Sequence, residues 1–289
     1  MLKYCIIFVL LSCHLVHADL LIQPSGANLS AGKFVNGVID EANLGIRTLD
    51  FSGNPFKYFG QDLPEIYIRD NGTLNAPAVG INDDFYPKLM SNNQVAGVVL
   101  TPLWDDFFLH ESASIVYEDF TSSFYAVTWK NMFLFQNLNT ESSTQVVLFG
   151  APTEINGFQF QANDIVFSYE NVQGDFGALI AEAGLRSADG QFVQVPVPRI
   201  TSSPNPGEIG FIPGSSAFAN LPLGSGEFLL LRPTLNSYQI SNISAVPEPS
   251  SLALILGALI PLGYGSARKK LQCCSRRGAA SAKEVTDCR

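Results

Sequence analysis

The sequence predicts an all-β protein, mainly an antiparallel sandwich or a mixed sheet with few short helices. Short runs of β-branched and aromatic residues recur between Gly, Asn, Asp and Pro, which is typical of strands joined by turns. The 21 Phe and 9 Tyr residues favour a pleated, half-buried surface over a helix. Residues 19–246 contain no internal repeat and no long amphipathic helical pattern.

Individual strands are predicted where apolar residues alternate or run continuously. Asn71-Gly72 follows the first strand and predicts a hairpin turn, because both residues tolerate positive φ. The nearly continuous apolar segment 95–103 predicts a strand buried on both faces. Residues 201–246 are predicted to be rich in loops, with 202–207 as a loop and 235–245 as a linker. The predicted strands are 66–68, 95–103, 124–129, 145–149, 158–160, 165–169, 192–197 and 228–231.

The body of the chain is acidic, whereas its C-terminal end is basic. Residues 19–246 carry 9 Lys and Arg against 23 Asp and Glu, and residues 268–289 carry 7 against 2. An acidic surface repels nucleic acid at long range, so we expect no nucleic-acid partner. The same acidity favours solubility outside the cell.

The cysteines all lie outside this body, at Cys5, Cys13, Cys273, Cys274 and Cys288. A small exported eukaryotic module is normally held together by disulfides. This body must instead be stabilised by its hydrophobic core, which its length permits. An exported body without cysteine indicates a bacterial protein.

Residues 1–18 have the three parts of a signal peptide. Lys3 supplies the positive charge, residues 4–15 form an apolar run, and Ala18 is the small residue before the cut. We expect cleavage between Ala18 and Asp19. The alternative is that these residues form a buried N-terminal helix or strand.

The C-terminal end also has the pattern of a targeting signal. Pro247-Glu248-Pro249 precedes an apolar run over 252–264, and the basic cluster Arg268-Lys269-Lys270 follows. The run predicts a short hydrophobic helix that falls below the roughly 20 residues of a comfortable membrane span. The basic cluster would stay cytoplasmic. This order predicts a transient anchor, as in other C-terminal processing signals.

In this order, residues 247–270 resemble a PEP-CTERM sorting signal. The resemblance implies recognition by an exosortase-type transpeptidase, cleavage near Pro247-Glu248-Pro249, and a bacterium that makes exopolysaccharide. The signals of that family usually end soon after the basic cluster, whereas this chain continues as a basic, Cys-containing tail over 271–289. The sequence leaves open whether that tail is genuine, and also whether the protein stays anchored without being processed.

Several segments of the β-rich domain, residues 19–200, resemble in order the extracellular NIDO domain found in nidogen. The resemblance covers about residues 40–200 and implies a non-enzymatic extracellular domain associated with adhesion or matrix. Thr144 departs from it, since the family usually has Phe there, and Asp105-Asp106 lacks the longer acidic run. The matching segments are 56–60, 66–72, 100–106, 127–132, 145–149, 165–169 and 183–184.

No catalytic residue is predicted, because the body has one histidine, His110, and no cysteine. A Ser or Cys nucleophile would need a base, and zinc would need more ligands. Among the acidic pairs, the candidates are Asp83-Asp84, Asp105-Asp106 and Glu118-Asp119. Each is read first as a pair of solvated turn residues. Asp105 and Asp106 directly follow Trp104 at a strand end, and they are the candidates for a sugar or a Ca²⁺ ion.

Two functions follow from these observations. The first is an exported surface or extracellular-matrix protein, not an enzyme, that acts in adhesion or in association with exopolysaccharide. Its partners would be an exosortase-type transpeptidase, the inner membrane for a time, and the matrix, with no cofactor. The alternative is a secreted carbohydrate-active enzyme that uses paired carboxylates.

Overall fold

The computed structural model describes residues 20–31, 33, 38–39, 43–76, 97–105, 107–110, 113–134, 137–170, 182–195 and 227–244. These residues form strands and turns, so the all-β prediction is confirmed. The few short helices of the prediction have no counterpart among them. No helix in these ranges could therefore cross a membrane. The predicted signal peptide, the predicted loop at 202–207, the predicted sorting signal and the tail at 271–289 lie outside the described residues.

Twenty strands are found in the described residues. They are β1 (Ala27–Asn28), β2 (Val38–Ile39), β3 (Asn43–Thr48), β4 (Asp50–Phe51), β5 (Asn54–Tyr58), β6 (Gln61–Leu63), β7 (Glu65–Arg69), β8 (Leu74–Asn75), β9 (Val99–Trp104), β10 (Phe107–His110), β11 (Ile115–Phe120), β12 (Phe124–Leu134), β13 (Asn137–Phe149), β14 (Thr153–Ile155), β15 (Phe158–Phe160), β16 (Ile165–Glu170), β17 (Glu182–Arg186), β18 (Phe192–Gln194), β19 (Glu227–Pro233) and β20 (Tyr238–Ser244).

Two sheets make up most of the fold. The large sheet has the order β1-β11-β12-β13-β16-β19-β20, and β10 joins it through β12 and carries β2. The six-stranded sheet has the order β18-β17-β9-β8-β7-β3. Strands β4, β5 and β6 form a small sheet, and β14 and β15 form a hairpin. Neighbours throughout these sheets pair in antiparallel fashion.

Each predicted strand overlaps a strand of the structure. The segment 95–103 corresponds to β9, in which all six residues are buried, as its continuous apolar sequence predicted. The linker predicted over 235–245 is wrong, because Tyr238–Ser244 forms β20 and pairs along its whole length with β19. Ser and Asn residues suggested a linker there. They occupy the exposed positions of an edge strand, while Tyr238 is buried.

The main core lies between the two sheets. Strand β7 alternates, with Ile66 and Ile68 buried between half-buried neighbours. They share one cluster with Leu100 of β9, Val127 of β12 and Phe167 of β16. Each side chain of this size contributes about 1.5–3 kcal/mol when it is fully buried. The architecture is therefore a β-sandwich with its core between facing sheets.

Buried aromatic side chains also connect the sheets through hydrogen bonds. Trp129 Nε1 donates to the carbonyl of Arg69 at 2.7 Å, and the Tyr169 hydroxyl donates to the carbonyl of Pro102 at 2.9 Å. Both bonds run from the large sheet to the six-stranded sheet. The Tyr58 hydroxyl makes a similar bond to Val99 O at 2.8 Å. These partners satisfy polar groups that would be costly to bury alone.

The outer face of the large sheet, which points away from the six-stranded sheet, is covered as well. Phe149 of β13 stacks on Phe160 of β15, with ring centroids 4.3 Å apart. The hairpin turns at Asn156-Gly157, where both residues have positive φ. Residues 20–22, which we call the N-terminal strap, cover the same face, and Leu21 packs in its apolar cluster. The central strands are thus buried on both faces.

Replacing Tyr169 with Phe tests the bond between the sheets. Tyr169→Phe should lower the free energy of unfolding by about 1–3 kcal/mol, because it leaves the buried Pro102 carbonyl without its donor. Tyr67→Phe, on a half-buried side chain of β7, is the matched control and should change little. Urea unfolding of both variants measures the difference. Equal losses would contradict a specific role for the Tyr169 hydroxyl.

Buried tyrosines should also make the fold sensitive to alkali. Burial raises the pKa of Tyr58, Tyr125, Tyr169 and Tyr238 above the ordinary value. Above about pH 10 the unfolded chain loses these protons while the folded chain keeps them, so stability falls until the folded pKa is passed. Each tyrosine adds a slope of roughly 1.4 kcal/mol per pH unit. Because the unfolded tyrosine is only half deprotonated at about pH 10, Tyr169→Phe should reduce the total fall in unfolding free energy between pH 9 and 11 by about 1.4 kcal/mol.

Candidate functional site

The predicted ligand site lies where the turn between β7 and β8 packs on the end of β9. The hairpin predicted at Asn71-Gly72 is confirmed, with Ile68 opposite Leu74. Gly72 has φ +74, whereas Asn71 is not among the residues with positive φ. A Cβ atom on Gly72 would lie 2.1 Å from the carbonyl oxygen of Leu103. Only glycine allows this close approach.

Asp105 is enclosed at this corner. It is 0% exposed, whereas the sequence placed the acidic pairs in solvated turns. The amide of Phe107 donates to Asp105 O at 2.8 Å and to Asn71 Oδ1 at 2.9 Å. Asp70 is also buried, and its Oδ1 accepts a bond from Asn71 N at 3.0 Å. A sugar could reach Asp105 only if this corner opened, and Asp106 lies outside the described residues.

The acidic pair Glu118-Asp119 on β11 holds neighbouring segments in place. Glu118 forms an ion pair with Arg47 of β3 and accepts a bond from the Tyr125 hydroxyl at 3.5 Å. Asp119 accepts bonds from the amide and the hydroxyl of Ser25, both at 3.2 Å. Both carboxylates therefore have structural partners.

The structure does not place the described acidic pairs at one site. Asp105 follows β9 of the six-stranded sheet, whereas Glu118 belongs to the large sheet. Asp83-Asp84 lies outside the described residues. The described residues contain no cluster of three or more His, Cys, Asp or Glu side chains that could hold a metal ion.

His110 is half-buried at the end of β10 and faces Phe133, with ring centroids 6.0 Å apart. The nearby hydroxyl of Ser114 accepts a bond from the His110 amide at 3.0 Å. The same hydroxyl donates to Asn131 O at 2.7 Å. Ser114 thus joins the turn after β10 to β12, and this use does not fit a nucleophile activated by an imidazole.

A cleft of about 360 Å³ opens between β5 and the loop after β13. Lys57 and Asn163 define its polar side, and the Lys57 amide donates to Asn163 Oδ1 at 2.7 Å. The Lys57 ammonium forms an ion pair with Asp62. The cleft can offer hydrogen bonds to a small polar group, but its lining holds no nucleophile with an adjacent base. The lining consists of Asn54, Pro55, Lys57, Gly150, Ala151, Pro152, Ala162 and Asn163.

The predicted processing residues lie outside the described residues. Ala18 and Asp19 precede the first described residue, Leu20. Pro247, Glu248, Pro249, Arg268, Lys269 and Lys270 follow the last one, Ser244. These positions stay predictions.

Comparison of the chain with protein-family models, curated proteins and solved structures gave no match.

Glycine substitutions test how the Asn71-Gly72 turn is positioned. Gly72→Ala should lower the unfolding free energy by about 2–4 kcal/mol, through both the positive φ and the contact with Leu103 O. Gly157→Ala, at φ +80 with no atom within 4 Å of the added Cβ, should cost only about 1 kcal/mol. Thermal or urea unfolding compares the two. A smaller loss at Gly72 would contradict the packing of this turn against β9.

Proposed function

We propose that this chain is an exported bacterial surface or extracellular-matrix protein, and that its β-sandwich acts in adhesion or in association with an exopolysaccharide matrix. The ordered triple of Pro247-Glu248-Pro249, an apolar run and Arg268-Lys269-Lys270 carries this proposal. A Pro-Glu-Pro alone is common. A Pro-Glu-Pro followed by a short apolar run and a basic cluster is typical of a sorting signal.

The body supports an extracellular role. It is a cysteine-free sandwich whose stability comes from a packed core and from buried aromatic hydrogen bonds. Such a fold needs no oxidant after export. The segments that carry the NIDO resemblance fall mostly on core strands, with 127–132 in β12 and 145–149 in β13. That pattern agrees with an adhesion-type β domain. Membership of the NIDO family is inferred from the sequence resemblance alone.

The two proposed terminal signals would determine how the chain is processed and where it is located. A leader would be cut between Ala18 and Asp19, and the C-terminal apolar run would hold the body outside the inner membrane for a time. An exosortase-type transpeptidase would then cut near Pro247-Glu248-Pro249 and pass the body to the surface or the matrix. The acidic surface argues against a nucleic-acid partner.

We favour a binding role over the carbohydrate-active enzyme. A glycosidase needs two carboxylates that face one sugar from opposite sides. Among the described residues of the predicted acidic pairs, Asp105 is enclosed at the corner after β9, Glu118 is held by Arg47, and Asp119 is bonded to Ser25. None of these arrangements provides two carboxylates that face one sugar.

The mass and the terminal peptides of the native protein test the proposal. Protein recovered from the envelope and the medium should begin at Asp19 and end between Val246 and Pro249. Loss of the basic cluster in an Arg268→Ala, Lys269→Ala, Lys270→Ala variant should leave the C-terminal end unprocessed or misplaced. A native chain that still carries residues 252–289 would contradict sorting and indicate a permanently anchored protein.

A further inference from the structure

The N-terminal strap, residues 20–22, is part of the core although it is the first described segment. Leu20 and Leu21 are 3% and 2% exposed. Leu21 belongs to the outer-face cluster that also contains Phe149 and Phe160. The strap therefore closes an apolar surface that water would otherwise cover.

The strap backbone is held by side chains instead of by a neighbouring strand. Gln145 Oε1 accepts a bond from Ile22 N at 3.0 Å, and Gln145 Nε2 donates to Ile22 O at 2.8 Å. A paired strand makes the same two bonds, so the Gln145 amide replaces a peptide group. Ser168 Oγ accepts a bond from Leu21 N at 3.3 Å, and Asn156 Nδ2 donates to Leu21 O at 3.2 Å.

The side chains that bind the strap are oriented by hydrogen bonds among themselves. Thr128, Gln145 and Ser168 stand opposite one another on β12, β13 and β16. Gln145 Nε2 also donates to Thr128 Oγ1 at 2.7 Å, and Gln145 Oε1 accepts from Ser168 Oγ at 3.2 Å. With Ile22 in place, all four hydrogen-bonding positions of the amide are used. This row is therefore a preformed site for an extended peptide.

The strap begins one residue after the predicted leader cut. A peptidase acts on chain that is accessible on both sides of the bond it cleaves. With Leu20 and Leu21 docked, the segment after Ala18-Asp19 is not accessible. In addition, the apolar run 4–15 ends only five residues before Leu20, a reach of about 17 Å when extended. A leader held in a membrane would keep the strap at the membrane surface.

We propose that removal of the leader precedes docking of the strap on Gln145, so that processing completes the fold of the body. This inference rests on the proposed export of the chain. Before processing, the row of Thr128, Gln145 and Ser168 stays open. After processing, the new N-terminal segment fills it and buries the outer face of the large sheet.

A double-mutant cycle on the full chain tests this order. Ala18→Leu blocks processing by removing the small residue before the cut, and Gln145→Leu removes the bonds to Ile22 at similar volume. In processed protein, Gln145→Leu should lower the Tm by about 5 °C or more and speed exchange of the Ile22 amide at least tenfold. In the Ala18→Leu chain, the same substitution should cost clearly less, because with the strap undocked only the bonds to Thr128 and Ser168 are lost.

Controls separate the possible outcomes. Gln239→Leu, on an exposed position of β20, should leave the Tm unchanged in both chains. Ser168→Ala is a milder second variant, which loses the bond to Leu21 N and should follow the pattern of Gln145→Leu. Equal losses in processed and unprocessed chains would overturn the proposal, since the strap would then dock with the leader present. Intact mass is measured first, and an N-terminus other than Asp19 would contradict the proposed processing itself.

Discussion

The structure depends on one constraint, that the central strands of the large sheet are buried on both faces. Neighbouring residues of β13 point to opposite sides, so that Val146 faces the six-stranded sheet and Val147 faces outward. A single covering layer would leave half of these apolar side chains in water. The six-stranded sheet covers the inner face, while the β14-β15 hairpin and the N-terminal strap cover the outer one. Without disulfides in the body, this double coverage is what stabilises the sandwich.

This constraint explains which parts of the fold could be predicted from the sequence. Local alternation and continuous apolar runs identified the core strands, including β9 and β16. The coverage of the outer face could not be predicted, because it brings Ile22 to Gln145, 123 residues away in the chain. The sequence predicts a linker where edge strand β20 lies, because the polar residues of an exposed edge strand resemble those of a linker. The Asn156-Gly157 turn could be predicted as well, because Asn-Gly between apolar residues is a strong hairpin signal.

The same reasoning applies to the candidate site residues. Asp105 was singled out because it follows Trp104, and it does lie at the end of a strand. Its burial could not be anticipated, because it results from a turn about thirty residues earlier in the chain that packs on Leu103. Thr128, Gln145 and Ser168 gave no signal at all. Polar residues in a strand normally face solvent, and their alignment becomes visible only when the register of three strands is known.

Edge strand β20 has a mechanical consequence. A pulling force on the chain beyond Ser244 reaches first the polar end of the strand, where Ser241, Asn242 and Ser244 are exposed. These residues can peel from β19 one backbone pair at a time, and only the half-buried Ile243 then loses contact with the outer-face cluster. At the opposite end, Tyr238 is buried, packs on Phe59 with ring centroids 5.2 Å apart and donates to Lys57 O at 3.3 Å. Under such a force the exposed end of β20 would therefore separate first, while the buried Tyr238 end would hold, so that the chain would lengthen before the core unfolds.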